Sequence, residues 1–189
     1  MYGVLRVFIA VDIEDPLLVS RLERLKDAIA STGVPMKLVE TENLHITLRF
    51  IGEVPVGLVD EIKSGVLERL RFKQFNIRLQ GLGAFPSVTK PRVVWVGVRE
   101  GVEDLTRIRE EIEGGLRALG IRPDDKEFHP HITLARVKGS RNIQTLIKIL
   151  QEYEDYEVGV LRVSSIRLKK STLTRQGPIY ETLMEVKGE

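Results

Sequence analysis

HITLRFI at residues 45–51 and HITLARV at residues 131–137 are two copies of one word. The chain has three histidines, and His45 and His131 hold the same place in that word. Each word reads as a strand, in which residues i and i+2 share a face. His45 and Thr47 therefore look one way and Ile46 and Leu48 the other; His131 and Thr133 likewise oppose Ile132 and Leu134.

The likeness extends beyond the words. RVFIAVDI (6–13) and RVVWVGV (92–98) are runs of β-branched and aromatic residues that read as buried strands. Val7 lies 38 residues before His45 and Val93 lies 38 before His131, so the unit recurs at an offset of 86. Between each strand and its word lies a helix. In the first, Asp15-Pro16 is an N-cap with proline in the first turn, and Leu18, Leu22, Leu25 and Ile29 form one apolar stripe. In the second the stripe is Leu105, Ile108, Ile112, Leu116 and Leu119, stopped at Gly120. Helices over about 56–71 and 141–154 follow the two words, the former with Val59, Ile62, Val66 and Leu70 on one side and the latter with Ile143, Ile147, Leu150 and Tyr153. Strand patterns close each unit: FNIRLQGLGAF (75–85), whose glycines suggest a bend, then YEVGVLRV, SIRLKKS and PIYETLMEV.

The expectation is a single 189-residue α+β domain. It is bilobal: repeats of about 6–82 and 92–168 pack about a pseudo-two-fold axis, with mainly antiparallel sheet, helices outside, and a cleft between the lobes. Composition agrees with a soluble globular protein, at 42% hydrophobic and 30% charged residues of well-mixed sign. A net charge of +2 permits an anionic partner without demanding one. The absence of cysteine excludes disulfides and thiolate metal sites, and the N-terminal apolar run is too short to span a membrane. A cytoplasmic, monomeric protein is expected.

A two-fold relation would gather two imidazoles and two hydroxyls around one space. Imidazoles near pKa ~6.5 can supply a base on one side of a reaction and an acid on the other. Thr47 and Thr133 can donate to an oxyanion, and the Arg136 guanidinium is a fork suited to phosphate. A phosphate diester fits these parts without a metal or other cofactor. The competing reading is a zinc site of His45, His129 and His131. Pro130 interrupts it, and neither word contains Asp or Glu. A further alternative is a non-catalytic protein that binds RNA ends. Arg167, Lys169, Lys170 and Arg175 read either as a solvated sheet edge or as an RNA-contacting lip. Phe8, Phe50 and Trp95 read either as base-stacking residues or as core.

The paired words, with RVFIAVDI, LHITLRFIGEV, PRVVWVGV and FHPHITLAR around them, resemble the 2H phosphoesterase superfamily. Within it they are most similar to the RNA 2',3'-cyclic phosphodiesterases, historically called 2'-5' RNA ligases. The resemblance covers nearly the whole chain. It implies hydrolysis of RNA 2',3'-cyclic phosphate ends, tRNA fragments among them, to 2'-phosphates, with 2'-5' ligation as a minor activity. By motif position His45 is the proton donor and His131 the proton acceptor. Thr47, Thr133 and Arg136 then hold the phosphate, and Phe8 contacts a base.

Overall fold

The computed structural model describes residues 3–189; Met1 and Tyr2 lie outside the described residues. The strands are β1 (Val4–Asp12), β2 (Met36–Leu38), β3 (His45–Pro55), β4 (Phe75–Ser87), β5 (Lys90–Glu100), β6 (His131–Val137), β7 (Glu157–Val163), β8 (Ser165–Thr174) and β9 (Gly177–Lys187). The helices are α1 (Pro16–Ala30), α2 (Val56–Gly65), α3 (Val102–Ala118) and α4 (Ile143–Glu152).

All nine strands join one sheet in the order β7-β4-β5-β6-β3-β1-β8-β9, with the short β2 paired to β6. Every pairing is antiparallel. The two words meet at the centre. The β3–β6 seam is a single residue pair, Ile46 with Ile132, which is the same word position paired with its own copy. The order reads outward alike on both sides of this seam: β5 and β4 beyond β6, β1 and β8 beyond β3. β4, from the first half of the chain, completes the second lobe, and β8 and β9, from the second half, complete the first. Each lobe thus borrows strands from the other half of the chain, and neither half closes alone.

The words are buried in one pattern. Over residues 45–51 and 131–137 the sequence of buried, half-buried and exposed positions is identical. Ile46, Leu48, Ile132 and Leu134 are at most 2% exposed and pack toward the helices. Burial of each such side chain stabilises by about 1.5–3 kcal/mol. The opposite face, with the histidines and threonines, is left uncovered.

The Asp15 carboxylate caps α1, accepting from the Leu18 amide at 3.0 Å, and Leu18, Leu22, Leu25 and Ile29 are buried as expected. Such a cap contributes about 1 kcal/mol. The helix after the first word is shorter than its periodicity predicts. Gly65 ends it, and a tighter turn over Leu67–Arg69 carries the stripe onward, so that Val66 and Leu70 stay buried. In α4 the deepest residues are Leu146 and Leu150, and Ile147 is only half-buried, so the helix is rotated from the predicted stripe. The bend expected in GLGAF is a register break between Leu79 and Leu82. There Gly81 takes φ +86° against the Glu154 carbonyl, where a Cβ would approach to 2.2 Å.

Three cations of the basic run near the C-terminus are taken up inside the sheet, whereas Arg175 is exposed in the turn between β8 and β9. β8 lies between β1 and β9, and Arg167 pairs with Asp12, Glu14 and Glu185, Lys169 with Asp12, and Lys170 with Glu181. Among the described residues, no helix is long and apolar enough to cross a membrane.

Candidate active site

A cleft of about 510 Å³ lies on the uncovered face of the sheet, and His45, Thr47, His131, Thr133 and Arg136 all line it. The seam pair explains the convergence. Carried one residue either way from Ile46–Ile132, the antiparallel register sets His45 level with Thr133 and Thr47 level with His131.

Both imidazoles are aimed by one device. Nδ1 of His45 donates to the Asn43 carbonyl at 2.6 Å, and Nδ1 of His131 donates to the His129 carbonyl at 2.6 Å. A carbonyl only accepts, so each Nδ1 carries a proton and each Nε2 is left for chemistry. Nε2 of His45 meets the Thr47 hydroxyl at 2.9 Å. The ring shells differ. His45 sits against Phe8 and Tyr180, with centroids at 5.2 and 5.4 Å. His131 sits against Phe85 at 5.0 Å and Trp95 at 6.1 Å. Trp95 lies flat over Gly83, where a Cβ would come within 2.3 Å of the indole.

Burial is the largest influence on both histidines and holds each below the ordinary imidazole pKa. Secondary influences separate them. At His45 the Asn43 carbonyl and Asp12 favour the cation, opposed by Lys169 and His131. At His131 only the His129 carbonyl favours it, opposed by the His129 ring and Arg136. Both shifts favour the neutral imidazole in the free site. An anionic substrate favours protonation, and Asp12 favours it at His45 specifically.

Phe8 is 3% exposed, its ring engaged by His45 and by Tyr180 at 4.9 Å. It lines the same cleft as the two histidines. Phe50 is 44% exposed, lines the cleft, and carries the Arg6 guanidinium 4.7 Å above its ring. Among the described residues, no group of three metal-ligating side chains could hold an ion. The His129 ring faces Phe85 and Trp95 at 5.3 and 4.9 Å.

Asp12, Tyr180 and Asn43 near the site escaped sequence reading, and Lys169 was read only as part of the basic run. Asp12 stands opposite His45 across β1–β3 and accepts from Lys169 Nζ at 2.6 Å and Arg167 at 2.7 Å. Its signal was a charged residue ending an apolar strand. Tyr180 and Lys169 lay in strands with no repeat partner to compare. Asn43 is buried, and its side-chain amide donates to the Pro178 carbonyl at 2.9 Å, tying β9 to the carbonyl that aims His45. A second group clamps the segment before β6. Arg49, only 5% exposed, pairs with Glu113 and donates to the Arg122 carbonyl at 2.6 Å; Arg109 pairs with Asp124 at 3.3 Å.

Residues 14–172 match the family model described as 2'-5' RNA ligase superfamily. The chain belongs to this superfamily. It is 60% identical over 171 residues to an RNA 2',3'-cyclic phosphodiesterase of Aeropyrum pernix, covering 90% of this chain and 97% of that one. It is 40% identical over 182 residues to an RNA 2',3'-cyclic phosphodiesterase of Methanothermobacter thermautotrophicus, covering 96% and 97%. Among solved structures it is similar to TT0787 of Thermus thermophilus, with TM-score 0.79, 27% identity and 97% of each chain covered. It also shares the fold of E. coli LigT, solved in complex with 3'-AMP, with TM-score 0.77, 23% identity and 98% of each chain covered. The superfamily fold is thus the sheet described above.

Proposed function

We propose that the protein hydrolyses RNA 2',3'-cyclic phosphate ends to 2'-phosphomonoesters, by two-histidine acid–base catalysis that needs no metal. The observation that carries this is the meeting of both His-x-Thr faces with Arg136 in one cleft. The curated relatives named for this activity support it.

Phosphorus sits between the two words. Thr47, Thr133 and Arg136 hold the non-bridging oxygens, where their donors oppose the charge of the transition state. Water attacks in line with O3' and gives its proton to Nε2 of His131. The P–O3' bond breaks, and Nε2 of His45 protonates O3'. The product is a 2'-phosphate beside a free 3'-hydroxyl. Asp12 fits His45 for the acid role, and Arg136 keeps His131 neutral for the base role. Phe8 acts here by holding the His45 ring. With water replaced by a 5'-hydroxyl, the same steps give a 2'-5' linkage as the minor product. The absence of cysteine suits a cytoplasmic setting, and the reading takes the protein as a monomer there.

The test is incubation of the purified protein with an RNA ending in a 2',3'-cyclic phosphate, in EDTA, with the product's phosphate position identified. A 2'-monophosphate formed at an undiminished rate is expected. A 3'-monophosphate, or activity lost to EDTA and restored by zinc, would overturn the mechanism. Binding of the cyclic end without turnover would establish the non-catalytic alternative.

A further inference from the structure

A second groove, of about 600 Å³, opens from the same point as the catalytic cleft. The two cavities share Thr47, Phe50, His131, Thr133 and Arg136, so their junction is where the phosphate is held. They differ in their histidines: His45 lines only the first, whereas His131 lines both. In an in-line displacement the attacking and leaving oxygens lie on opposite sides of phosphorus. On the functional reading above, His45 serves the leaving O3', so the nucleoside carrying it occupies the first cleft. The attacking oxygen comes from the side served by His131 alone, and there the second groove opens.

We propose that the second groove binds the 5'-hydroxyl end of an RNA strand, the acceptor for 2'-5' bond formation. The inference rests on the functional reading, to which it adds a binding site. The groove's walls have the chemistry for such a strand. Arg122 and Lys126 are exposed, line it, and join no ion pair among the described residues. Arg49 and Arg109, also in the wall, are taken up by Glu113 and Asp124. Those pairs leave Glu127 as the one acidic lining residue without an ion pair among the described residues. Phe128 and His129 add ring surface beside the cations, the combination that holds single strands by phosphate contact and stacking. The wall is set in advance, because Arg49 grips the Arg122 carbonyl and the Lys126 amide donates to Asp124 at 3.1 Å.

The step balances without a cofactor. O5' of the acceptor attacks phosphorus and the P–O3' bond breaks. The 5'-hydroxyl proton goes to His131, and the His45 proton goes to O3'. A 2'-5' diester and a 3'-hydroxyl result, and proton exchange with solvent resets the histidines. A bound acceptor competes with water because it is held beside phosphorus rather than met by diffusion.

The experiment mixes the full-length protein with a donor RNA ending in a 2',3'-cyclic phosphate and a labelled short oligoadenylate bearing a 5'-hydroxyl. It reads the ratio of 2'-5'-joined to hydrolysed donor. In the double variant Arg122→Glu, Lys126→Glu this ratio is expected to fall roughly tenfold or more, and the salt dependence of joining to lose about 1–2 in log–log slope. The single variants Arg122→Ala and Lys126→Ala should give intermediate ratios. An unchanged ratio in the double variant would overturn the proposal, as would hydrolysis by the unaltered protein with no joined product at saturating acceptor. If the unaltered protein leaves the donor intact, the functional reading fails first and this subsite fails with it.

Discussion

The surroundings of His45 and His131 are alike along their strands and different across them. Along the strand each imidazole is held by the carbonyl two residues back, stands beside a threonine two residues on, and follows the same burial sequence. Across the sheet, His45 faces Asp12, whereas His131 faces Gly97. Asp12 in turn holds Lys169 and Arg167 from β8, and among the described residues no such ion pair stands behind His131. The words therefore supply two interchangeable imidazoles, and the neighbouring strands make them unequal. A symmetric pair would have no means of deciding which end of the substrate receives the proton.

The largest test of that inequality removes each ring. His45→Ala and His131→Ala should each lower kcat by roughly 10²–10⁴ or more, and the double variant should lose little beyond the worse single one, because the two act on one transition state. A nitrophenyl phosphodiester, whose leaving group needs no proton, separates them. His45→Ala should regain much of its activity on it and His131→Ala should not. Rescue of the His131 variant instead would invert the two roles. Rescue of neither would end the paired-histidine account.

Next in size are the threonines, where the halves should behave alike. Thr47→Val and Thr133→Val each remove a donor to phosphate while keeping a residue suited to a strand, and each should slow turnover by roughly 10²–10³. The Thr47 variant also loses the 2.9 Å contact to His45, so its pH profile should shift where that of the Thr133 variant does not. Full activity in both would show that the hydroxyls do not meet the substrate.

Repetition is what made this much readable. The words at 45 and 131, their helices and their offset established the antiparallel α+β architecture and pointed five residues toward one cleft. What lies outside the repeat was not readable in the same way. Tyr180 beside His45 comes from β9, beyond the repeat, and Phe85 beside His131 comes from β4; Phe8 and Trp95 come from the repeated strands β1 and β5 but miss one another by one residue, because the offset of 86 sets Phe8 on Val94. The exchange of β4 and β8 between lobes depends on long-range pairing that local patterns do not encode. Arg49 and Ala135 are the same word position, both buried, yet one is a charge. Only the fold shows the reason: Arg49 reaches Glu113 and the loop before β6, and position 135 has no such loop to hold.

The smallest expected effect tests what makes the two histidines unequal. Burial lowers both imidazoles, so the bell-shaped profile of kcat/KM should centre on the acid side of the ordinary imidazole pKa. One limb belongs to His45, and its position depends on Asp12 and Lys169, which act in opposite senses. Asp12→Asn removes the charge that favours the imidazolium and leaves Lys169 opposing it. The His45 pKa falls, and because a general acid works only below its own pKa, the alkaline limb should move to lower pH. Lys169→Met removes the opposing cation while Asp12 keeps Arg167 at 2.7 Å, so the same limb should move to higher pH. At any single pH each change should be less than roughly tenfold in rate, since a tenfold change would need the pKa itself to move by about 1. The acid limb, set by His131 beside Arg136 on a strand separated from β1 by β3, should stay in place in both variants. Opposite displacements of the alkaline limb alone would tie Asp12 to the acid. Displacement of the acid limb would mean that His45, which faces Asp12, serves as the base, and the assignment of the two words would have to be exchanged.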